Sequence, residues 1–213
     1  FDRAVDKRVW PENGESIHLM YIGILLERRN LVPLCHAVRR ANENGMKFRL
    51  SLVGSGSAYE QLEPLVDFEN ANLDLRDPVA HDQVPELLSE AHVGVTSLPD
   101  ADDVKYQASS PVKLFEYRAA GLPVLATSSP CHTEVVGDCR FAFWAENPDE
   151  EALYGTLVEL WENHAQLEQL GAESQRAASD WTWESAAKKL SDALDFGLTR
   201  GATGKAQFGA SPT

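Results

Sequence analysis

The sequence is poor in cysteine and has no long apolar run. Its three cysteines, Cys35, Cys131 and Cys139, form no CxxC pair and are odd in number, which favours a reducing, cytoplasmic compartment over a disulfide framework. Cys131, His132 and Cys139 lack a fourth ligand and zinc-finger spacing, so we expect them to have a structural role and expect no bound metal. No apolar stretch approaches about 18 residues, so we expect no transmembrane segment.

Positive charge is also scarce. Lys and Arg total 19 against 33 Asp and Glu, which gives a formal net charge of −14. Nucleic-acid binding needs clustered Lys and Arg to neutralise phosphates, so we do not expect nucleic acid as a partner. The 213 residues are 43% hydrophobic and 24% charged, an ordinary composition for one globular domain.

Several catalytic signatures are missing. The sequence has no GxxxxGK[ST], GxSxG or HExxH, which argues against a P-loop NTPase, a serine hydrolase and a metalloprotease. The stretch "PDADD" at 99–103 resembles a metal-binding DxD, but it has no second set of ligands and is interpreted as an acidic loop. The glycines at 54 and 56 lack the third glycine of GxGxxG, so they predict only a sharp turn or a close backbone approach.

Predicted strands and helices alternate along the chain. We predict strands at 16–23, 47–54, 72–77, 92–98, 122–127 and 140–145, and helices at 31–45, 58–67, 82–91, 111–120 and 133–137. After residue 145 the chain is predicted to be helical. Asp82 is expected to cap helix 82–91, and Asn147, Pro148 and Glu150 are expected to open the first C-terminal helix.

This alternation predicts an α/β fold, a Rossmann-like doubly wound parallel sheet of about six strands, covered by helices on both faces. The domain is expected to span residues 16–200, followed by a loose tail at 201–213. Ligands of such sheets bind beyond the carboxyl ends of the strands. We therefore expect the site in the loops that follow the strands, at 23–30, 54–59, 77–82, 99–111 and 127–133, and nowhere else.

The stretch "SSPVKLFEYRAAGLPVLATS" at 109–128 predicts an anion site at a helix N-terminus. Ser109 or Ser110 can cap the helix, and Pro111 suits its first turn. The amides of Val112 and Lys113 would then be free of partners at the positive end of the helix dipole, an arrangement that suits phosphate.

Glu116 is a lone acidic residue in this otherwise apolar helix. On a helical wheel Val112, Phe115 and Ala119 form the stripe expected to face the core, and Glu116 lies on its margin. From there its carboxylate could accept hydrogen bonds from two neighbouring hydroxyls, such as those of a ribose whose phosphates lie at the helix N-terminus. An ion pair with Lys113, worth a few tenths of a kcal/mol, explains the residue equally well.

Taken in order, the loops resemble those of the C-terminal, donor-binding half of a GT-B glycosyltransferase, from the large group 1 family of retaining enzymes that use nucleotide sugars. The resemblance covers about residues 3–195. Its segments are "RAVDKRVWPENGE", "YIGILLERRN", "LVGSGS", "VAHDQVPELLSEAHVGVTSL" and, most closely, "SSPVKLFEYRAAGLPVLATSSPCHTEVVGD". It implies that residues 1–15 are the remnant of an interdomain linker.

The resemblance also implies roles for single residues. Glu116 falls on the second glutamate of the E-x7-E motif, which binds the ribose hydroxyls of the donor. Val112 and Lys113 fall where amides and an amine hold the diphosphate, and Arg29 falls on a phosphate-binding lysine. Val79 lies where main chain contacts the base. The other positions implied to bind the donor are Pro111, Ser110, Gly23 and Gly54.

Two positions depart from the family pattern. Ala108 stands in place of the first glutamate, and Ile24 in place of the arginine that usually follows Gly23. These departures leave open a catalytically degenerate nucleotide-sugar-binding module. A nucleotide-sugar epimerase of related fold is a second alternative, although the His and Asp residues are not placed to supply its acid–base groups.

The function implied is transfer of a hexose-type sugar from a nucleoside-diphosphate sugar to an unknown acceptor, with retention and without metal or other cofactor. The acceptor site, the remaining catalytic groups and any peripheral membrane contact would lie on an N-terminal acceptor domain of the same protein. The chain alone is therefore expected to bind the donor and to turn over little.

Overall fold

A computed structural model of the protein describes residues 8–66, 72–99, 111–179 and 181–204. Its strands are β1 (Ile17–Ile22), β2 (Phe48–Val53), β3 (Leu73–Arg76), β4 (Val93–Thr96), β5 (Val124–Thr127) and β6 (Ala142–Ala145). Its α-helices are α1 (Leu31–Glu43), α2 (Tyr59–Leu62), α3 (Val84–Ser89), α4 (Val112–Ala119), α5 (Pro130–Val136), α6 (Glu150–Glu162), α7 (Leu167–Ala178) and α8 (Trp183–Gly204). Short 3-10 turns lie at Glu27–Arg29, Glu63–Leu65, His81–Gln83 and His164–Gln166.

The strands form one six-stranded sheet in the order β3-β2-β1-β4-β5-β6, and every neighbouring pair is parallel. The predicted doubly wound, Rossmann-like fold is confirmed. The strand order reverses between β1 and β4, which pair at Leu19 and Val93. In open parallel sheets the crevice for ligands lies at this reversal, outside the carboxyl ends of the strands.

The core lies on both faces of the sheet, because parallel strands are covered by helices on each side. All residues of β4 and β5 are buried. Helix α1 buries the residues whose spacing predicted it, namely Leu31, Leu34, Cys35, Val38 and Ala41. It packs against α6 on one face, and α4 packs against α7.

Two predicted helix caps are wrong. Helix α6 begins at Glu150, and Asp149 is its N-cap, accepting a hydrogen bond from the Ala152 amide at 2.8 Å. Asn147 instead accepts a hydrogen bond from the Asp149 amide at 3.0 Å, so the residue predicted as the cap orients the true one.

Asp82 is likewise not a cap, because it lies inside the 3-10 turn that precedes α3. The side chain of Gln83 closes this turn by accepting the Ala80 amide at 3.1 Å.

Other element boundaries shift by a few residues. The helix predicted at 58–67 is a single turn, α2, followed by a 3-10 turn. The helix predicted at 133–137 already begins at Pro130, where a proline suits the first turn. Helix α8 runs to Gly204 and so includes residues 201–204 of the predicted tail, whereas residues 205–213 lie outside the described part. None of the described helices is both long and apolar enough to cross a membrane.

Candidate functional site

The loops after β1 and β2 interlock at the carboxyl edge of the sheet. The amide of Gly23 donates to Val53 O at 2.9 Å, and that of Leu25 donates to Ser55 O at 2.9 Å. Gly54 has φ +147°, and a Cβ atom there would lie 1.9 Å from the carbonyl oxygen of Gly23. Only glycine is compatible with this approach. The close approach that the glycines at 54 and 56 predicted is thus one between two loops of the protein itself.

Between these loops and the loop after β3 lies a cleft of about 250 Å³, which we call the rim cleft. It is lined by Ile22, Gly23, Ile24, Val53, Gly54, Ser55, Pro78 and Val79. Its walls are mainly aliphatic, and Ile24 (63% exposed) and Val79 (37% exposed) leave apolar side chains open to solvent. Three predicted donor-binding residues, Gly23, Gly54 and Val79, therefore lie on one cleft.

Helix α4 opens beside this cleft, at the strand-order reversal. Pro111 occupies its N-cap position, with φ −80° and ψ 76°, so the expectation of a serine cap is wrong. Ser110 and Ala108 lie outside the described residues. The amides of Val112 and Lys113 have no acceptor within the helix, because the first four N–H groups of any α-helix lack one. This end of the helix therefore carries a partial positive charge.

The stripe predicted to face the core is also wrong. The buried residues of α4 are Leu114, Tyr117 and Arg118. Val112 is 62% exposed. The prediction assumed that the apolar residues would be the buried ones.

Two polar residues of α4 are buried because their polar atoms find main-chain partners. The Tyr117 hydroxyl donates to Val95 O and accepts from the Ile22 amide, both at 3.1 Å. The Arg118 guanidinium donates to carbonyls on α5 and at the end of α7, each at 2.8 Å. The Tyr117 bonds tie α4 to β1 and β4, the Arg118 bonds tie it to α5 and α7, and together they fix the position of the helix.

Lys113 folds back over the sheet. Its Nζ lies 3.6 Å from the ring centroid of Tyr21, a cation–π contact. A Cβ atom at Gly23 would lie 3.2 Å from this Nζ, so glycine leaves room for the amine. Burial, together with the charge of Arg29, lowers the pKa of Lys113 to about 7, although Glu116 acts in the opposite direction. An anion arriving at the helix start would raise this pKa again by stabilising the ammonium.

Arg29 lies on the 3-10 turn between β1 and α1. Its positive charge lowers the pKa of Lys113 and opposes the burial that raises the pKa of Tyr21 to about 12. The fold therefore brings this cation, from a distant part of the sequence, into the electrostatic neighbourhood of the α4 N-terminus.

Glu116 lies one turn into α4 with its side chain 20% exposed. Burial raises the pKa of its carboxyl, while the charges of His81 and Lys113 act against burial. Within the described part of the chain Glu116 forms no ion pair with Lys113. Its close neighbour is His81, whose Nδ1 lies 3.7 Å from Glu116 Oε1. Sequence patterns gave no signal for His81 beyond its place in the predicted site loop at 77–82.

The residues considered as metal ligands do not form a metal site in the described structure. No group of three or more His, Cys, Asp or Glu is placed there to hold an ion. "PDADD" lies outside the described residues except for Pro99. His132 is buried, with Nδ1 2.8 Å from Thr127 O, and burial lowers its pKa to about 4.

A Rossmann-like sheet whose crevice faces a helix N-terminus is found in many nucleotide-binding domains, and one half of a GT-B fold is among them. Residues 16–163 match the family model described as Glycosyl transferases group 1. The chain belongs to this family. Its sequence has no significant match among curated proteins.

Solved glycosyltransferases share the fold at low sequence identity. The catalytic domain of cholesterol-alpha-glucosyltransferase from Helicobacter pylori is 18% identical, with a TM-score of 0.63 over 78% of this chain and 99% of its own. Sucrose-phosphate synthase from Thermosynechococcus elongatus is 19% identical, with a TM-score of 0.67 over 88% of this chain and 47% of its own. HepE from Anabaena, solved with UDP and glucose, is 14% identical, with a TM-score of 0.66 over 84% of this chain and 48% of its own. The chain thus spans about half the length of the last two.

Proposed function

We propose that this chain is the donor-binding half of a glycosyltransferase that moves a sugar from a nucleoside-diphosphate sugar to an acceptor. Family membership supports the class. One observation carries the proposal: the half-buried carboxylate of Glu116 and the open N-terminus of its own helix both lie at the crevice of a doubly wound sheet.

The spacing within α4 suits a nucleoside diphosphate. Glu116 is four residues beyond Val112, so about 6 Å of helix separates the anion site from the carboxylate. A ribose diol and a β-phosphate are separated by a comparable span. The phosphates would accept hydrogen bonds from the amides of Val112 and Lys113, with the Lys113 amine and Arg29 adding positive charge. Glu116 would accept hydrogen bonds from the two ribose hydroxyls.

The rim cleft is the proposed place of the base. Its apolar walls at Ile24, Pro78 and Val79 suit the faces of a flat ring, and main chain at Val79 offers polar groups for the base edge. HepE and a pneumococcal O-GlcNAc transferase were both solved with UDP. UDP is therefore the first probe.

The same groups would assist the reaction. Negative charge grows on the departing nucleoside diphosphate as the bond to the sugar breaks, and preorganised donors stabilise it. The amides at the start of α4, Lys113 and Arg29 supply such donors without a metal. We propose a metal-independent transfer on this basis, and we propose retention at the anomeric carbon from the family resemblance alone. Binding of UDP should survive a chelator, and a strict requirement for Mg²⁺ would instead implicate "PDADD".

The acceptor site is proposed to lie on a further domain. The chain spans about half of sucrose-phosphate synthase and HepE, so groups that complete catalysis in the whole protein would be outside it. The chain alone should bind the donor and transfer little.

Calorimetry tests the proposal through Glu116. We expect the chain to bind UDP or another nucleoside diphosphate with a Kd of roughly 0.1–1 mM, since half of the cleft is absent. Glu116→Ala should weaken binding by about 1–3 kcal/mol, because two hydroxyls lose a charged acceptor. Glu134→Ala, at an exposed glutamate of α5, is the matched control. An unchanged Kd for Glu116→Ala would contradict the proposal.

One observation favours a degenerate binding module instead. Ile24, which stands where the family usually has an arginine, is 63% exposed and places no charge at the mouth of the cleft. The alternative is tested with the longest natural form of the protein. If that form binds nucleotide sugars without transfer, and Ile24→Arg restores transfer, the protein is a catalytically degenerate binding module.

A further inference from the structure

His81 and Glu116 come together from distant parts of the sequence. His81 follows β3, and Glu116 lies on α4, yet His81 Nδ1 is 3.7 Å from Glu116 Oε1. This distance is too long for a hydrogen bond. Within the described part of the chain, no hydrogen bond reaches the Glu116 carboxylate, although its side chain is only 20% exposed. The Glu116 carboxylate therefore faces the imidazole of His81, whose side chain is 80% exposed, without a hydrogen bond to it.

The position of His81 is set by its turn. The Gln83 side chain accepts the Ala80 amide at 3.1 Å, and the Gln83 amide donates to Ala80 O at 2.9 Å. The preceding residues of the same loop, Pro78 and Val79, line the rim cleft. Two residues beyond Val79 on the same loop, His81 faces the carboxylate proposed to hold the ribose.

We propose that His81 is a specificity-determining residue that binds a ribose hydroxyl together with Glu116. This inference rests on the proposed function. His81 Nδ1 and Glu116 Oε1 are 3.7 Å apart. One ribose hydroxyl oxygen could therefore lie about 2.7 Å from the carboxylate and about 2.9 Å from the imidazole nitrogen at the same time, without movement of either side chain.

The two side chains are chemically complementary to a hydroxyl. A hydroxyl has one proton to donate and lone pairs to accept with, whereas a carboxylate can only accept. When Glu116 takes the proton, the hydroxyl oxygen still needs a donor, and an imidazole N–H supplies it. A deoxyribose offers neither function at the missing position. His81 thus adds selection for ribonucleotides over deoxyribonucleotides.

Binding of matched nucleotides tests this role. Calorimetry with ADP, GDP, CDP and UDP identifies the tightest ligand, and its 2′-deoxy and 3′-deoxy forms are then compared. His81→Ala should weaken the ribonucleotide about 3- to 10-fold, the value of one hydrogen bond. It should leave one of the two deoxy forms unchanged. His81→Asn places an amide near the Nδ1 position and should retain most of the affinity, whereas His81→Phe keeps the ring without a donor and should behave like His81→Ala.

Asp82→Ala, at an exposed neighbour on the same turn, controls for disturbance of the loop. If it weakens binding as much as His81→Ala, the role assigned to His81 is wrong. Equal losses for ribonucleotide and both deoxy forms would indicate packing rather than recognition and would also overturn it. Unchanged or tighter binding by His81→Ala would overturn it while leaving the donor site intact. If no nucleoside diphosphate binds the natural sequence, the proposed function fails and this inference with it.

Discussion

Two polar networks on the amino side of the sheet differ in their hydrogen bonding from Lys113 and Glu116 on its carboxyl side. On the amino side, Arg8 is 8% exposed and donates to Ala91 O at 2.6 Å, Leu88 O at 2.9 Å and Gly121 O at 3.1 Å. Its guanidinium also lies 5.1 Å from the Trp10 ring centroid. This one side chain joins the segment before β1 to the segments that precede β4 and β5.

A second amino-side network links β1, β2 and β3. The ring nitrogens of His18 lie 2.8 Å from Glu90 O and 2.7 Å from Ser51 Oγ. Ser51 Oγ donates to Asp74 at 2.7 Å. Burial acts to raise the pKa of Asp74, but hydrogen bonds from Ser51 and Arg76 outweigh it and leave that pKa below its ordinary value.

The carboxyl side is different. Within the described residues, neither the Lys113 amine nor the Glu116 carboxylate makes a hydrogen bond, although burial lowers the pKa of the first and raises that of the second. Buried polar groups in proteins are normally paired. Groups whose pKa is perturbed by burial and by specific charges cluster at functional sites. We infer that the amino-side networks serve the fold and that Lys113 and Glu116 serve a ligand.

Substitution of Arg8 should cause the largest loss of stability that we predict. Arg8→Ala leaves three buried carbonyls without their donor, and we expect the free energy of unfolding to fall by about 3 kcal/mol. Urea denaturation measures this change. Arg8→Met keeps the stem against Trp10 and separates the lost hydrogen bonds from the lost packing. Affinity for the nucleoside diphosphate should stay unchanged in both variants, and a large loss of affinity would refute the division between the two sides.

Acid should lower the free energy of unfolding through protonation of His92. This ring accepts from the His18 amide at 2.9 Å and lies 3.0 Å from Val9 O, and burial lowers its pKa to about 4. The unfolded chain takes up this proton near pH 6.5, so stability present at pH 7 falls as the pH drops from about 6.5 to about 4. We expect His92 to account for about 3 kcal/mol of that fall.

Denaturant titrations between pH 4.5 and 7 give the slope of stability against pH. His92→Asn should lower this slope by about one proton. An unaltered slope would show that His92 is protonated as easily in the folded protein as in the unfolded one.

The fold was predictable because it depends on local patterns, whereas the site depends on contacts between distant residues. The alternation of strand and helix patterns predicted the sheet, and topology then selected the loop at 77–82 that contains His81. Burial of Tyr117 could not be predicted, because its hydroxyl is satisfied by main chain of β1 and β4. The contact between Glu116 and His81 could not be predicted either, because it joins distant parts of the sequence and an exposed histidine in a polar turn belongs to no periodic pattern.

The smallest effect that we predict is a pH dependence of nucleoside-diphosphate binding, caused by Lys113. Its pKa of about 7 means that the amine is largely neutral above that pH in the free protein, and a bound diphosphate would restore its charge. Binding should therefore take up a proton, and affinity should fall as the pH rises above 7. We expect the Kd for UDP to increase about 3- to 10-fold between pH 7 and 8.5, where the terminal phosphate, with a pKa near about 6, is already ionised.

Calorimetry in two buffers of different ionisation enthalpy measures the proton uptake, which should be about 0.3–0.7 proton near pH 8. Lys113→Arg keeps its charge throughout this range and should bind with little dependence on pH. Lys113→Met should lose affinity but not stability at pH 7, because it removes a buried amine that makes no hydrogen bond within the described residues. This is the reverse of the result expected for Arg8→Ala. A loss of stability in Lys113→Met comparable to that of Arg8→Ala would mean that the carboxyl side also serves the fold.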